Sequence, residues 1–114
     1  MLPDGKSMYS FLCPSSCSDQ HFKNESVTII GHSLYMHGTG QHMLVQQFRN
    51  DVVVDTVKVE YFSIDQGGVF ASMTDGTKTI ERGDRFETRC YYDTAYGEYP
   101  GERVRFGPRS EDEM

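Results

Sequence analysis

The chain has 114 residues and a formal net charge of −6, values that leave room for one domain, residues 1–114, with one modest hydrophobic core. The acidic balance argues against a nucleic-acid surface, which needs clustered Lys and Arg. A membrane-spanning helix needs a run of about eighteen or more apolar residues, and the sequence has none.

Strand signals occur along the whole chain, whereas no stretch holds a helical period. Residues 8–12 are the first expected strand, and residues 14–24 are polar and turn-forming, which predicts a loop held by its cysteines. A strand over about 26–37 follows, because its first half is β-branched and apolar. Turn signals separate the later strands, which we predict at 43–49, 52–54, 56–62, 69–73, 85–92 and 103–106. Residues 79–84 are predicted to end a strand in another turn.

The turn and alternation signals together predict the fold class. Residues 56–62 alternate cleanly, with Val57, Val59 and Tyr61 on one face, as in a half-buried antiparallel strand. Asn50-Asp51 is a turn signal, and Asp75-Gly76 is typical of a two-residue hairpin. Many short strands with frequent turns predict an all-β fold, namely an antiparallel two-sheet β-sandwich of jelly-roll-like type.

Three of the four histidines fall within residues 31–42, beside a glycine turn. If the strand runs to residue 37, its period of two places Tyr35 and His37 on one face and His32 on the other. A histidine at a strand end next to a glycine turn is well placed to meet a metal or a substrate. A surface or hydrogen-bonded histidine is the commoner case for such a position.

The three cysteines, Cys13, Cys17 and Cys90, are an odd number. Asn24 begins an N-glycosylation sequon. Cysteines and sequon together favour an oxidising, secretory context, although residues 1–5 show neither the basic start nor the apolar segment of a signal peptide. The odd cysteine suggests a partner on another chain or an incomplete chain.

Several short motifs follow one another in an order that resembles a single family. They are Cys13-Pro14-Ser15-Ser16-Cys17, the strand ending in a histidine and a glycine turn, Phe48-Arg49-Asn50, Glu60-Tyr61-Phe62, Ile80-Glu81-Arg82-Gly83-Asp84 before a strand ending at Cys90, and Ser110-Glu111-Asp112-Glu113-Met114. Each motif alone is weak, but their joint order resembles the C-terminal domain of the copper type II, ascorbate-dependent monooxygenases. That family includes dopamine beta-monooxygenase and peptidylglycine alpha-hydroxylating monooxygenase, and its two-sheet antiparallel sandwich agrees with the strands above.

The resemblance implies a copper site made by a His-x-His pair on one strand and a methionine near the end of the domain. Imidazoles suit both copper states and a thioether favours Cu(I). His37 matches the second histidine and Met114 the methionine, whereas Tyr35 stands at the first-histidine position. A phenol is protonated at neutral pH and cannot replace an imidazole for Cu(I). His32 would reach the site only through a bulge and His42 only across a hairpin, so both are poor substitutes.

The resemblance also implies a reaction and its partners. The family hydroxylates a C–H bond of a small amine, peptide or similar substrate with O2, using ascorbate as electron donor and a second copper on a preceding domain. That domain is absent here, and a further strand that follows the methionine in the family is missing. We therefore expect a secreted fragment with an impaired copper site. The alternative is a non-catalytic secreted β-sandwich interaction module that no longer binds copper.

The family pairs the cysteine matched by Cys90 with one directly after the methionine, and it pairs those matched by Cys13 and Cys17 downstream as well. Cys13 and Cys17 could instead join each other, but an extended Pro-containing spacer would hold their Cα atoms too far apart. We interpret residues 111–113 as solvated acids beside Met114, because contiguous acids lack the spacing of a calcium loop.

Overall fold

Antiparallel strands make up most of the regular structure. The computed structural model describes residues 5–23, 25–63, 69–96, 100, 103–109, 112 and 113, and only the backbone of 69 and 70. The strands are β1 (Lys6–Cys13), β2 (Val27–Thr28), β3 (Gly31–Tyr35), β4 (Gly40–Arg49), β5 (Val52–Val59), β6 (Val69–Met73), β7 (Thr79–Ile80) and β8 (Arg85–Asp93). A short helix, α1 (Ser15–His21), and a 3₁₀ turn (Thr94–Tyr96) complete the regular elements of the described residues.

The larger sheet has four strands in the order β1-β8-β4-β5, and each neighbouring pair is antiparallel. The predicted turn at Asn50-Asp51 is confirmed. Both residues have positive φ angles, 51° and 61°, which Asn and Asp tolerate and which suit a two-residue hairpin between twisted strands. The predicted alternation is confirmed for Val57 and Val59, which are half-buried between exposed neighbours. It is wrong for Tyr61, which is 89% exposed because β5 ends at Val59.

A two-stranded ribbon forms the second layer. In it β3 pairs with β6 and β2 pairs with β7, both antiparallel. Between these ladders the Ile29 N–H donates to the Lys78 carbonyl over 2.8 Å, and the Thr74 N–H donates to the Ile30 carbonyl over 3.1 Å. The ladders are therefore two parts of one interrupted ribbon. The predicted strand over 26–37 is interrupted at residues 29 and 30.

The hydrophobic core lies against the four-stranded sheet, where Met43 is paired with both Val59 and Cys90. Its buried members are Met36, Phe62, Cys90 and Tyr92, and Met43, Val59 and Val104 pack against them partly buried. The regular structure is mostly strand, in a four-stranded sheet and a separate ribbon whose strand pairs are all antiparallel, which confirms the predicted all-β antiparallel sandwich.

Helix α1 replaces the loop that we predicted over residues 14–24. Seven residues are too few for a hydrophobic period to register in the sequence. The helix is held instead by a distant contact: the Ser18 hydroxyl donates to the Asp84 carbonyl over 2.8 Å and accepts the Gly83 N–H over 3.0 Å. Tertiary hydrogen bonds here override weak local propensity.

Two further local predictions are wrong. Asp75-Gly76 does turn, with φ of +83° at Gly76, but the flanking strands β6 and β7 pair with β3 and β2 rather than with each other. The turn therefore interrupts one side of the ribbon instead of closing a hairpin. The strand expected at 103–106 is reduced, in the described residues, to a single parallel bridge between Phe106 and Glu113.

A buried carboxylate, Asp84, joins two of the motifs and helix α1. Asp84 is 1% exposed. Its Oδ1 accepts Arg49 Nε over 2.9 Å, and its Oδ2 accepts Arg49 Nη2 over 2.9 Å, Gln47 Nε2 over 2.8 Å and the Glu81 N–H over 2.8 Å. Burial by itself raises the pKa of Asp84, but the hydrogen bonds outweigh it and hold that pKa below its ordinary value.

Replacing Asp84 by Asn should lower the free energy of unfolding at pH 7 by about 3 kcal/mol, because it removes the buried carboxylate that pairs with Arg49 and leaves the half-exposed Glu81 as that guanidinium's charged partner. A depressed folded-state pKa gives stability that is present above the unfolded pKa of about 3.9 and lost as pH falls through the folded value. Below about pH 4 the free energy of unfolding of the wild-type chain should therefore fall, and this part of the fall should be missing in Asp84→Asn. Guanidinium unfolding at a series of pH values measures both effects.

The matched control is Asp51→Asn, since the Asp51 side chain is 94% exposed and faces Arg85 only at 3.7 Å. Its effect should stay within about 0.5 kcal/mol at every pH. Equal effects of the two substitutions would contradict the assignment of Asp84 as a structural anchor.

Candidate metal centre at the histidine turn

The turn that carries His37 connects the ribbon to the four-stranded sheet. β3 ends at Tyr35 and β4 begins at Gly40, and the Gly40 N–H donates to the His37 carbonyl over 3.0 Å. Met36 is fully buried and His37 is 7% exposed. Because the strand stops at Tyr35, His37 leaves the alternation that we predicted for it and enters the interior beside Met36.

Close packing against Met36 requires a glycine at position 40. A Cβ added to Gly40 would lie 2.5 Å from the Met36 Cβ and 2.9 Å from its sulfur. At Gly38, by contrast, an added Cβ would meet nothing within 4 Å. The second glycine of the motif therefore permits the turn to fold back on Met36.

The Glu113 carboxylate clamps this turn from far along the chain. Glu113 is completely buried. Its Oε1 accepts the His37 N–H over 2.7 Å, and its Oε2 accepts the Thr39 N–H over 3.1 Å and the Thr39 hydroxyl over 2.5 Å. The Glu113 N–H in turn donates to the Arg105 carbonyl over 2.7 Å. We predicted a solvated acid at this position, and that prediction is wrong because the carboxylate has backbone and hydroxyl donors in place of water.

The His37 imidazole is oriented by the residue before Glu113. Its Nδ1 lies 2.7 Å from the Asp112 carbonyl oxygen. A carbonyl oxygen only accepts, so Nδ1 carries a proton, and in the neutral ring the lone pair is then on Nε2. This is the arrangement typical of a metal-binding histidine, in which a hydrogen bond at one ring nitrogen fixes the tautomer that ligates through the other.

The Tyr35 side chain flanks that imidazole. The ring centroids of Tyr35 and His37 are 5.4 Å apart with an interplanar angle of 82°, and Tyr35 also meets Phe62 edge-on at 6.4 Å. Tyr35 is 38% exposed. The phenol therefore lies next to the imidazole, on the same side of the turn, although Tyr35 belongs to β3 and His37 lies beyond its end.

The other two nearby histidines have partners elsewhere. His32 Nε2 lies 3.7 Å from Asp55 Oδ2, across from β3 to β5. The His42 ring stacks on Tyr91 with centroids 3.9 Å apart. Among the described residues, no group of three or more His, Cys, Asp or Glu side chains is arranged to hold a metal ion.

Of the remaining predicted site residues, Met114 and Asn24 lie outside the described residues. Cys13, Cys17 and Cys90 are free thiols in the structure. Burial raises the pKa of Cys90, and it also raises the pKa of Tyr92. The negative charge of the Glu113 carboxylate adds to both shifts. These two groups therefore stay protonated and neutral in the core beneath the turn.

Glu113 is the site residue that sequence reasoning missed. It follows two other acids, and an acidic run is normally solvated. Its partners His37 and Thr39 lie 76 and 74 residues away, so no local pattern relates them. The available signal was the joint order of the motifs, because the last motif contains Asp112 and Glu113, which contact the histidine turn.

Fold and turn together define a class: an antiparallel β-sandwich with a buried, oriented histidine where its two layers connect. The sequence model described as "Copper type II ascorbate-dependent monooxygenase, C-terminal domain" matches residues 2–114. The chain belongs to this family, as its motif order predicted. A search of curated proteins found no match. No helix among the described residues is long and apolar enough to cross a membrane.

Gly40→Ala should destabilise the chain by about 2–3 kcal/mol, because the added methyl overlaps Met36 and the turn must shift. Gly38→Ala is the matched control and should change stability by less than about 0.5 kcal/mol, since that position is open. Chemical unfolding of the two variants measures the difference. Equal losses would contradict the close-packing explanation.

Glu113→Gln should cost about 2–3 kcal/mol, since an amide nitrogen would face at least one of three donors that now meet a carboxylate. Asp112→Asn should be nearly neutral, because the Arg109 N–H that its side chain accepts at 3.3 Å can be accepted by the amide oxygen as well, and its backbone makes the contact with His37. Amide hydrogen exchange at His37 and Thr39 should speed up in Glu113→Gln alone. Unchanged exchange there would rule out the clamp.

Proposed function

We propose that this chain is the copper-binding C-terminal module of an ascorbate-dependent monooxygenase, with an impaired copper site. The observation that carries the proposal is the hydrogen bond between His37 Nδ1 and the Asp112 carbonyl, 2.7 Å long. That bond directs the ligating lone pair to Nε2 in a chain whose family is defined by copper dependence.

The residues fit copper only in part. His37 has the tautomer of a ligand, and Asp112 and Glu113, the two residues before Met114, contact the histidine turn. These contacts support Met114 as a second ligand near His37. Tyr35 does not fit, because a neutral phenol is a poor ligand for Cu(I). Two good ligands leave the ion weakly held, so we derive no step of catalysis for this chain alone.

In this proposal the chain works with partners that the family implies. Ascorbate supplies electrons, and copper supplies the oxygen chemistry when it is bound. A preceding copper domain completes the electron supply, and the substrate is a small amine or peptide-like molecule hydroxylated at a C–H bond. The compartment is the secretory pathway, where the sequon at Asn24 would be used.

The second candidate is a non-catalytic secreted module that kept the sandwich and lost the metal. The observation that favours it is the packing of Tyr35 edge-on against both His37 and Phe62. An aromatic side chain in this place stabilises the turn by contact and does not require an ion.

Copper affinity separates the two candidates. We expect measurable but weak Cu(I) binding to the reduced, anaerobic chain, and about tenfold or greater loss in His37→Ala and in Met114→Ala. Tyr35→His should raise the Cu(I) affinity about tenfold or more, because it restores a second imidazole beside His37. Competition with a chromophoric Cu(I) chelator gives each dissociation constant.

His42→Ala is the matched control, since His42 stacks on Tyr91, and it should leave the affinity unchanged. Binding that is indifferent to His37 and Met114, with no gain in Tyr35→His, would overturn the copper proposal and favour the non-catalytic module. Binding lost in His42→Ala would instead assign that histidine as the substitute ligand.

A further inference from the structure

The edge strand β1 lacks the features that normally protect the edge of a sheet. Its ladder runs to β8 on one side, and within the described part of the chain no strand pairs with its other side. Lys6, its first residue, carries its one charge, and the strand has no proline and no bulge in its register with β8. Natural edges usually carry central charges, prolines or bulges, because free N–H and C=O groups recruit a further strand. β1 is therefore open to pairing.

The opposite edge of the same sheet, β5, has this protection. The register between β4 and β5 shifts where Gln47 faces Asp55 and Phe48 faces Val53, so that Val54 is bulged out of the ladder. Asp55 and Lys58 place charges within the strand. Of the two edges of the four-stranded sheet, β1 is the one suited to adding a strand.

The sheet leaves four apolar side chains of β1 exposed, two on each of its faces. Tyr9 is paired with the core residue Cys90, so Tyr9 and Phe11 lie on the core-facing side of the strand, and Met8 and Leu12 lie on the other side. Their exposed fractions are 50% and 47% for the two rings and 51% and 61% for Met8 and Leu12. An added strand would therefore meet apolar side chains on both faces of this edge.

The sequence of β1 is self-complementary about Ser10. If two copies of the strand pair antiparallel about a two-fold axis through Ser10, Met8 faces Leu12 of the second copy and Tyr9 faces Phe11, each pair occurring twice. With the axis moved to Tyr9 or to Phe11, Met8 or Leu12 would face Ser10 instead. Only the register about Ser10 pairs every exposed apolar side chain with another one, and such cross-strand pairs stabilise a sheet.

The charges of the strand allow the same arrangement. The two copies of Lys6 would lie at opposite ends of the joined ladder, about 27 Å apart at about 3.4 Å per residue. At that distance, beyond the screening length in physiological salt, their repulsion is small. No like charges therefore meet along the pairing.

The apolar surface on offer suits a weak dimer. Because Tyr9 and Phe11 are about half exposed, each presents on the order of 100 Å². With Met8 and Leu12, each copy offers roughly 400 Å² of side-chain surface, and two copies offer about 800 Å² before the backbone ladder is counted. A specific interface begins at about 1,000 Å², and weak ones lie near this size.

We propose that β1 is the docking surface for a second copy of this chain, in which two β1 strands pair antiparallel about Ser10 and join two four-stranded sheets into one of eight strands. The same surface serves both copies, so the assembly closes as a dimer. It uses no residue of the histidine turn, and it goes beyond the proposed copper function.

Sedimentation velocity of the reduced, metal-free chain at about 1 to 100 µM tests the docking surface. We expect a monomer–dimer equilibrium within this range. Leu12→Lys should raise the dimer dissociation constant about tenfold or more, because it places an unpaired charge at the centre of an apolar pair. Val52→Lys is the matched control on the opposite edge, since Val52 is 62% exposed and Leu12 61%, and it should leave the constant unchanged.

Disulfide cross-linking tests the register in a chain that carries Cys13→Ser and Cys17→Ser. Ser10→Cys should form a covalent dimer under mild oxidation, because residues directly opposite in an antiparallel pair have Cα atoms about 4.5–5.5 Å apart, within reach of a disulfide. Met8→Cys is the matched control. It should stay uncross-linked, since its counterpart in the second copy would lie four residues along the strand, about 13 Å away.

Four results would overturn the proposal. They are a monomer at every concentration, open-ended polymers in place of a dimer, equal weakening of the dimer by Val52→Lys and Leu12→Lys, and equal cross-linking of Ser10→Cys and Met8→Cys. All measurements are made with a metal chelator present, so they stand apart from the test of copper binding.

Discussion

The buried carboxylate of Glu113 is the constraint on which the histidine turn depends. A carboxylate can be buried only if donors replace its hydration, and here two backbone N–H groups and one hydroxyl do so. Those same donors belong to the turn between β3 and β4. The buried carboxylate therefore depends on the donors of the turn, and the N–H groups of the turn depend on the carboxylate as their acceptor. Geometry at His37 follows from this mutual requirement rather than from the strand that precedes it.

Asp84 plays the corresponding part at another place in the sandwich. It receives Arg49 from β4 and the turn before β8, and through its backbone it holds helix α1. Both carboxylates bind segments of low intrinsic regularity to the four-stranded sheet. A small sandwich with few fully buried apolar residues gains fixed loop positions in this way, since hydrogen bonds to charged groups are directional as well as strong.

The sequence predicted those elements whose signals are local. The alternating pattern predicted that Val57 and Val59 lie on the buried face of β5. Asn50-Asp51 predicted a turn, because these residue types accept positive φ angles. What it missed depends on contacts between distant segments. Helix α1 depends on hydrogen bonds to Gly83 and Asp84. The turn between β6 and β7 does not close a hairpin, because these strands pair with β3 and β2. The donors that allow Glu113 to be buried lie more than seventy positions away. For the site, His37 was singled out by its glycine turn, and a period of two placed Tyr35 on the same side as His37, where the two rings do meet. The departure of His37 from the strand could not be read from that period.

The long separation between His37 and Glu113 also determines when the site can exist during biosynthesis. A nascent chain that has reached β4 already contains the imidazole, but 76 residues still separate it from the carboxylate that holds its backbone. Closing a loop of that length is slow relative to local turns. The imidazole therefore stays unoriented until residues 112 and 113 have been made and the sandwich has closed around them.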